Sequence, residues 1–212
     1  MPSDGGHPSD GVASDWPVAL RGVTESIVAT LGPNDRWNMA ALGLHAPDES
    51  GEPVEATTWG NTRTKRNFHR QGGGVVQFTP DPRAFVDAAV TIREEEHPVL
   101  PSADAWIEVV AESVATGTDG GTEWERWALR PTDAGTVAAE RPHTINRGFG
   151  AVIDATVAAS RLDVPSYDTE TLLDRLAYFA ETVEKCGGPQ ERAAFETLSK
   201  ATDWRSLTGD AD

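Results

Sequence analysis

Cysteine is almost absent from the sequence, which contains Cys186 and no other. Disulfides within one chain and cysteine-rich metal sites are therefore excluded, and a reducing compartment is favoured. Long apolar runs are absent too, because no stretch approaches the roughly 18 residues of a membrane span. The N-terminus also lacks the basic and then apolar pattern of a signal peptide. We expect a cytoplasmic protein without a membrane partner.

Lysine is scarce and acidic residues are abundant. Only Lys65, Lys185 and Lys200 are lysines among 18 basic residues, whereas 34 acidic residues give a formal net charge of -16. Such a composition is typical of a salt-rich, halophilic cytoplasm, because multimolar salt screens the repulsion between surface charges. An ordinary acidic protein is the alternative. In either case the negative surface repels nucleic acid, so no nucleic-acid partner is expected.

Acidic residues are missing from one segment, residues 56–80, which nevertheless carries Arg63, Lys65, Arg66 and Arg70. The 34 acids in 212 residues would otherwise fall at about every sixth position. Threonine and asparagine side chains lie between the cations, and such donors hold phosphate together with arginine. The segment therefore predicts a site for a phosphorylated small molecule. A solvated helix face and an RNA contact are the alternatives.

Hydrophobic periodicity and turn residues predict a mainly β first part followed by helices. Residues 1–17 are expected to be a disordered tail, residues 18–142 a mainly β domain with two inserted helices, and residues 143–212 a helical subdomain. The predicted strands are 23–31, 36–46, 53–59, 74–80, 105–115, 123–131 and 136–142. The predicted helices are 64–71, 81–92, 149–162, 169–186 and 189–204. The second helix is expected to bury Phe85, Ala88, Ala89 and Ile92.

Several blocks of sequence resemble known families. Thr64, Asn67 and Phe68 form a T-x-x-N-F pattern that precedes a glycine-rich turn and a V-V-x-F strand at 75–78. This arrangement is similar to the phosphate segment of FMN-binding split barrels related to flavin reductases. From Val23 to Arg192, the ordered blocks ESIVAT, GNTRTKRNF, FVDAAV, DAWIEV and INRGFGAVIDA resemble the family called domain of unknown function 447.

This resemblance implies an antiparallel split β-barrel with a C-terminal helical subdomain, assembled as a homodimer that binds FMN noncovalently. By motif, the FMN phosphate would be held by Gly60, Asn61, Thr62, Arg63, Thr64 and Asn67. The isoalloxazine ring would lie along Ala41, Leu42 and Gly43, with further flavin contacts from Gln77, Asn146 and Arg147.

The resemblance also implies a flavin-dependent, flavin-reductase-like oxidoreductase, whose substrate and electron donor the sequence does not identify. The alternative is a non-catalytic protein that stores or senses FMN or another phosphorylated ligand. No metal site is expected, since the acids and histidine at 94–97 are consecutive and do not face one centre. Glu25 is a candidate buried partner of Arg63 or Arg147.

Overall fold

A computed structural model of the protein describes residues 16–49 and 51–207. Its strands are β1 (Val23–Leu31), β2 (Trp37–His45), β3 (Val54–Trp59), β4 (Gly73–Phe78), β5 (Arg93–Glu95), β6 (Ala105–Asp119), β7 (Thr122–Pro131), β8 (Thr136–Val137) and β9 (Ile145–Asn146). Its helices are α1 (Arg63–Gln71), α2 (Pro82–Val90), α3 (Arg147–Ala159), α4 (Thr169–Cys186), α5 (Pro189–Thr202) and α6 (Trp204–Leu207). Residues 1–15 of the predicted tail lie outside the described residues. Trp16, which was predicted to belong to the tail, is buried in the barrel core.

Six antiparallel strands close into a barrel. Their order around it is β2, β3, β7, β6, β4 and β1, and β1 then pairs along its whole length with β2. Side chains alternate between the two faces, so that Val28 of β1 points into the barrel and Ile27 points outward. The predicted antiparallel barrel with C-terminal helices is confirmed.

Strand β2 lacks a partner over part of its length on the side away from β1. It pairs with β5 at residues 37–39 and with β3 only at Leu44 and His45. Within the described chain, residues 40–43 therefore have no strand on that side. Strand β3 runs instead along β7, and the barrel is split between β2 and β3. Helix α1 begins just beyond the end of β3, at this opening.

Large side chains fill the barrel interior and fix the position of α1. Trp127 of β7 and Phe68 of α1 are both 1% exposed, and their ring centroids lie 5.0 Å apart in an edge-to-face arrangement. Burial of one such ring contributes on the order of 2–3 kcal/mol. Phe68 thus fastens α1 over one end of the barrel, and this determines where the N-terminus of the helix lies.

Helix α2 buries the predicted face in part, since Ala88 is buried and Phe85 packs on the same cluster, but Ala89 and Ile92 are exposed. Ala84 and Ala88 pack on the outside of the barrel, whereas Ile92 is 73% exposed. The reason is that Thr91 is already extended, with φ -121° and ψ 173°, so the helix ends before Ile92. The helix itself and its Asp81 cap are confirmed, since the Asp81 side chain accepts the Arg83 N–H at 2.9 Å.

Short strands also differ from the prediction. Residues 93–95, which lie outside the predicted helices and strands, form β5 because the edge of β2 supplies their hydrogen-bond partners. The strand predicted at 136–142 is reduced to β8, which pairs only with the first two residues of β6. The glycine-rich turn after β6 is tighter than expected, because β6 continues to Asp119 and only Gly120 and Gly121 turn the chain.

The C-terminal helices form a second core. Helix α3 buries Ala151 and Ala155, while α4 buries Leu172 and Leu176 in the same cluster. The start of α3 lies so close to the end of α4 that only glycine fits at Gly148. A Cβ there would be 2.4 Å from Gly187 Cα. No helix of the described chain combines the length and the apolarity that crossing a membrane requires.

Candidate functional site

The first turn of α1 presents backbone donors. Gly60 follows β3 with a φ of 69°, a left-handed conformation that favours glycine. Thr62 then caps the helix, because its Oγ1 accepts the Lys65 N–H at 3.1 Å. The N–H groups of Arg63 and Thr64 precede the first intrahelical hydrogen bond, so they can donate to an anion.

Two of the four cations in segment 56–80 are paired with carboxylates from distant strands. Arg63 Nη1 lies 2.5 Å from Glu94 Oε1 on β5. Lys65 Nζ lies 3.4 Å from Glu125 Oε2 on β7. The segment is free of acids in sequence, but the fold brings two carboxylates to its cations.

The other two cations contact neutral oxygens. Arg66 Nη1 donates to the backbone O and to Oδ1 of Asn61, both at 2.9 Å. Arg70 Nη2 donates to Leu31 O at 2.6 Å and to Asn67 Oδ1 at 2.7 Å. Neither arginine forms a salt bridge with another residue of the described chain. Their charge is therefore not offset by an adjacent carboxylate.

Arg66 is a candidate ligand that the sequence prediction left out. Its side chain folds back over the turn at Asn61, next to the free N–H groups of the first helical turn. The signal that could have identified it is its position one turn into α1, because helical side chains lean toward the N-terminus of their helix. Arg66 thus joins Arg63 at the start of α1.

Glu125 is a buried carboxylate beneath α1. Its side chain is 4% exposed and lies 3.0 Å from His69 Nε2 as well as near Lys65. Burial raises the pKa of this carboxyl, but hydrogen bonds from Ser113, His69 and Lys65 and the charge of His69 together hold the pKa below its usual range. Glu125 therefore remains ionised and holds α1 on the barrel.

Asn67 and Gln77, both predicted to contact FMN, are engaged inside the protein. Asn67 is 3% exposed, and its amide donates to Thr30 Oγ1 at 2.9 Å. Gln77 is fully buried; its amide donates to Pro98 O at 2.9 Å and its Oε1 accepts the Leu100 N–H at 2.8 Å. The Asn67 bond joins α1 to β1, and the Gln77 bonds join β4 to the loop before β6. The two amides therefore support the surroundings of the site.

The predicted ring contacts on β2 divide between the two faces of the barrel. Leu42 is 5% exposed and belongs to the interior cluster. Ala41 and Gly43 alternate with it and lie half-buried on the outer face. The structure thus separates Leu42, whose side chain packs the core, from its two neighbours, which line the surface beside the split.

The backbone groups of Ala41 and Gly43 point away from β1. In an antiparallel pair of strands, every second pair of opposite residues exchanges backbone hydrogen bonds. The Ala46 N–H donates to Gly22 O at 2.8 Å, so residue 46 of the β1–β2 ladder belongs to the hydrogen-bonded set. The even-numbered residues of β2 therefore bond to β1. The odd-numbered residues direct their N–H and C=O groups into the split, where a ligand with donors and acceptors on its edge could pair with them.

The helical subdomain reaches the outer face of the barrel through the start of α3. Asn146 caps this helix, and the next residue, Arg147, has its Nε 3.8 Å from Glu25 Oε1. Glu25 therefore pairs with Arg147 and not with Arg63. Burial raises the pKa of the Glu25 carboxyl more than the Arg147 charge lowers it. Glu25 also lies beside Gly43, since a Cβ there would be 3.8 Å from Glu25 Oε2.

Two grooves of the described chain lie away from the start of α1. One of about 690 Å³ runs between α4 and α5, with Val183 and Phe195 among its lining residues. Another of about 260 Å³ lies beside the glycines at 72–74. Neither is lined by a predicted site residue. We therefore locate the candidate site by its donor groups and not by cavity volume.

The strand order and the split define this protein as a split β-barrel with a helical extension. Two family models match the chain. The N-terminal domain of the protein of unknown function DUF447 matches residues 24–138, and a second DUF447 model matches residues 146–200. The chain belongs to the DUF447 family, as the sequence blocks predicted.

Three solved structures are similar to this chain. An FMN-bound DUF447 protein from Methanosarcina mazei is 24% identical, with a TM-score of 0.45 over 86% of this chain and 96% of its own. The styrene monooxygenase flavin reductase of Pseudomonas putida S12 is 12% identical, with a TM-score of 0.36 over 58% and 91%. An FMN-binding protein from Thermus thermophilus is 14% identical, with a TM-score of 0.39 over 67% and 85%. The fold assignment rests on the strand pairing of the chain itself.

Proposed function

We propose that this chain binds FMN at the split of the barrel, with the phosphate at the start of α1 and the isoalloxazine ring on the outer face of β2. The observation that carries the proposal is the donor set at the opening between β2 and β3: Arg66 and the N–H groups of Arg63 and Thr64. The FMN-bound Methanosarcina mazei protein belongs to the same family, which makes FMN the first ligand to test.

The donor set fits a phosphate monoester. Two free backbone N–H groups lie at the positive end of a helix dipole, and Arg63 and Arg66 carry their guanidinium groups on the first turn of the same helix, an arrangement that favours a dianion. Asn61 and Thr62 hold the turn, because Asn61 accepts from Arg66 and Thr62 caps α1. The chain has a net charge of -16, so most of its surface repels an anion. The local concentration of cations at the start of α1 attracts one.

The outer face of β2 fits a flat ring. Ala41 and Gly43 have almost no side chain, so a planar group can approach their backbone, and their N–H and C=O groups can pair with polar atoms on its edge. Arg147 lies on the same face through its contact with Glu25. FMN supplies electron-transfer chemistry when bound, and the part of the protein is to bind and orient it. Asn67 and Gln77 support this arrangement from within.

An oxidoreductase is the first functional candidate, in keeping with the resemblance to flavin reductases. The second candidate is a protein that stores or senses FMN, or another phosphorylated ligand, without turnover. One observation favours the second. Glu25, a titratable side chain beside Gly43, is already paired with Arg147. Proton transfer from Glu25 to a second substrate would therefore need this pair to open.

We further propose a homodimer in a salt-rich cytoplasm. Helix α3 exposes Phe149, Ile153 and Val157 at spacings of four residues, with 52%, 50% and 42% of each residue exposed. Such a stripe favours packing against another protein surface. Sedimentation in multimolar and in dilute KCl tests the dimer and its adaptation to salt. The protein is expected to be a dimer in concentrated salt and to dissociate or unfold in dilute salt.

Purification in multimolar KCl tests FMN binding directly. The protein should be yellow, the chromophore released by denaturation should be FMN, and any colourless fraction should take up added FMN. Steady oxidation of a reduced nicotinamide by the FMN-loaded protein would support the oxidoreductase, whereas binding without turnover would support storage or sensing. Colourless protein that takes up no FMN in concentrated salt would overturn the proposal.

A further inference from the structure

A half-exposed tryptophan borders the split. Trp59, the last residue of β3, is 52% exposed. Alternation along the strand places Thr58 inside the barrel and Trp59 on the outer face. Ala41 and Gly43 of β2 occupy the same outer face. The indole and the surface proposed for the flavin ring therefore belong to one side of the barrel.

The register of β2 and β3 relates Trp59 to Ala41. The two strands pair at Leu44 and Ala56. Continuing this register along both strands would set Ala41 opposite Trp59, but the strands part before that point. The space between these two residues is therefore the split itself. Trp59 is also followed directly by Gly60, whose turn leads to the phosphate donors of α1.

The neighbouring tryptophan is directed away from the split. Trp124 pairs with Trp59 across β3 and β7, but its indole lies over Gly117 of β6, where a Cβ would be only 2.5 Å from Trp124 Cζ2. Arg126 holds it there, with its guanidinium carbon 5.7 Å from the ring centroid. Of these two tryptophans, Trp59 is the one at the border of the split.

We infer that Trp59 is the aromatic wall of a compartment for the planar ring of the phosphorylated ligand. The inference rests on the proposed FMN function, because the ring is taken to be that of FMN. A stacked ring removes the exposed indole from water and gains the attraction between aromatic faces. The small side chain of Ala41 leaves space for the ring, whereas the Val23 side chain lies over Gly43, where a Cβ would be 3.0 Å from Val23 Cγ1. The start of α1 holds the phosphate. Trp59 thereby selects phosphorylated ligands that carry a flat ring.

Titrations in multimolar KCl, followed by quenching of flavin fluorescence, test this role. Trp59→Ala should raise the Kd for FMN and for riboflavin by roughly 5- to 100-fold, the range for ring stacking on an aromatic side chain. Trp59→Phe should restore most of the affinity. The Kd for inorganic phosphate, measured by calorimetry, should not change. Tyr178→Ala is the matched control, because Tyr178 is 61% exposed on α4.

Equal FMN affinities of Trp59→Ala and Tyr178→Ala would overturn the inference and leave the proposed function standing. A changed oligomeric state of Trp59→Ala with an unchanged Kd for FMN would overturn it as well, because a second copy would then cover the indole. Failure of the unaltered protein to bind FMN would overturn the proposed function and this inference together.

Discussion

Arg63 of α1 lies 2.5 Å from Glu94 of β5, although 31 positions separate them in the sequence. The second carboxylate oxygen of Glu94 accepts from Asn34 Nδ2 at 3.2 Å, so the turn between β1 and β2 also meets this pair. The carboxylate holds the same guanidinium that a phosphate at the start of α1 would use. Glu94 is therefore a competitor for the proposed ligand.

Replacing Glu94 by glutamine should strengthen anion binding. The Kd for FMN should fall by roughly 2- to 5-fold, since a partly exposed carboxylate contributes about 0.5–1 kcal/mol to such a pair. The gain should shrink as KCl is added, because salt screens the competing charge. Calorimetric titration at two KCl concentrations measures both effects. Glu96→Gln is the control, because Glu96 pairs with Arg36 and its side chain is 77% exposed. Weaker binding by Glu94→Gln would show that Glu94 orients Arg63 for the ligand.

Removing the cation at the start of α1 should weaken binding of the phosphate group only. Arg66→Ala is expected to reduce the free energy of FMN binding by about 1–3 kcal/mol, as for loss of a charge-assisted hydrogen bond. Arg63→Ala should act in the same direction. Riboflavin, which lacks the phosphate, should bind the variant and the unaltered protein alike. Arg36→Ala, in the turn between β1 and β2, should leave FMN binding unchanged, and equal effects at residues 36 and 66 would mean that the phosphate lies elsewhere.

Glu125 should make stability depend on pH. Its pKa in the folded protein is lowered, so the ionised carboxylate stabilises the fold above the ordinary glutamate pKa, and this contribution is lost as pH falls through the folded value. Glu125→Gln should lower the free energy of unfolding by about 1–3 kcal/mol at neutral pH. The difference should disappear in acid. Urea unfolding across pH, at constant KCl, measures it.

The matched control for that experiment is Glu123→Gln. Glu123 also approaches Lys65, but its side chain is 74% exposed and the separation is 4.0 Å. Its replacement should change stability by less than about 0.5 kcal/mol. A loss for Glu125→Gln that is equally large in acid and at neutral pH would mean that shape, and not the ionised carboxylate, matters at this position.

Two glycines of α3 should respond to alanine with opposite signs. At Gly148 a Cβ would lie 2.4 Å from Gly187 Cα, so Gly148→Ala should separate α3 from the end of α4 and destabilise the protein by about 1–3 kcal/mol. At Gly150 nothing lies within 4 Å of an added Cβ, and alanine should stabilise the helix by about 0.5–1 kcal/mol. Thermal unfolding of both variants decides the matter, and equal shifts would contradict the close approach.

Elements with strong local signals could be predicted closely. The alternation of β1 and the apolar spacing of α4 predicted both elements with the bounds found in the structure, and Asp81 predicted the start of α2. The short strands β5, β8 and β9 have too few residues to show a period. They form because a neighbouring strand edge supplies hydrogen-bond partners. That edge is a property of the assembled sheet, so no local pattern predicted β5 or β9, and the strand predicted at 136–142 was longer than β8.

The candidate site was predictable in part for the same reason. The run of cations and the Thr62 cap are local features, and the structure places both at the start of α1. The partners of those cations come from other strands, so the pairing of Arg63 with Glu94 could not be read from the segment. The family resemblance implied Asn67 and Gln77 as ligands, but their burial commits their amides to internal bonds.

The sequence by itself determined the charge balance of the protein, the acid-free run at 56–80 and the caps and alternation of the longer elements, because each depends on residues within a few positions of one another. Only the tertiary structure decided the split between β2 and β3, the turning of Ala41 and Gly43 toward it, and the carboxylates that meet Arg63 and Lys65. These depend on closing the chain into a barrel, where strand order and register, and not nearness in sequence, determine which groups meet.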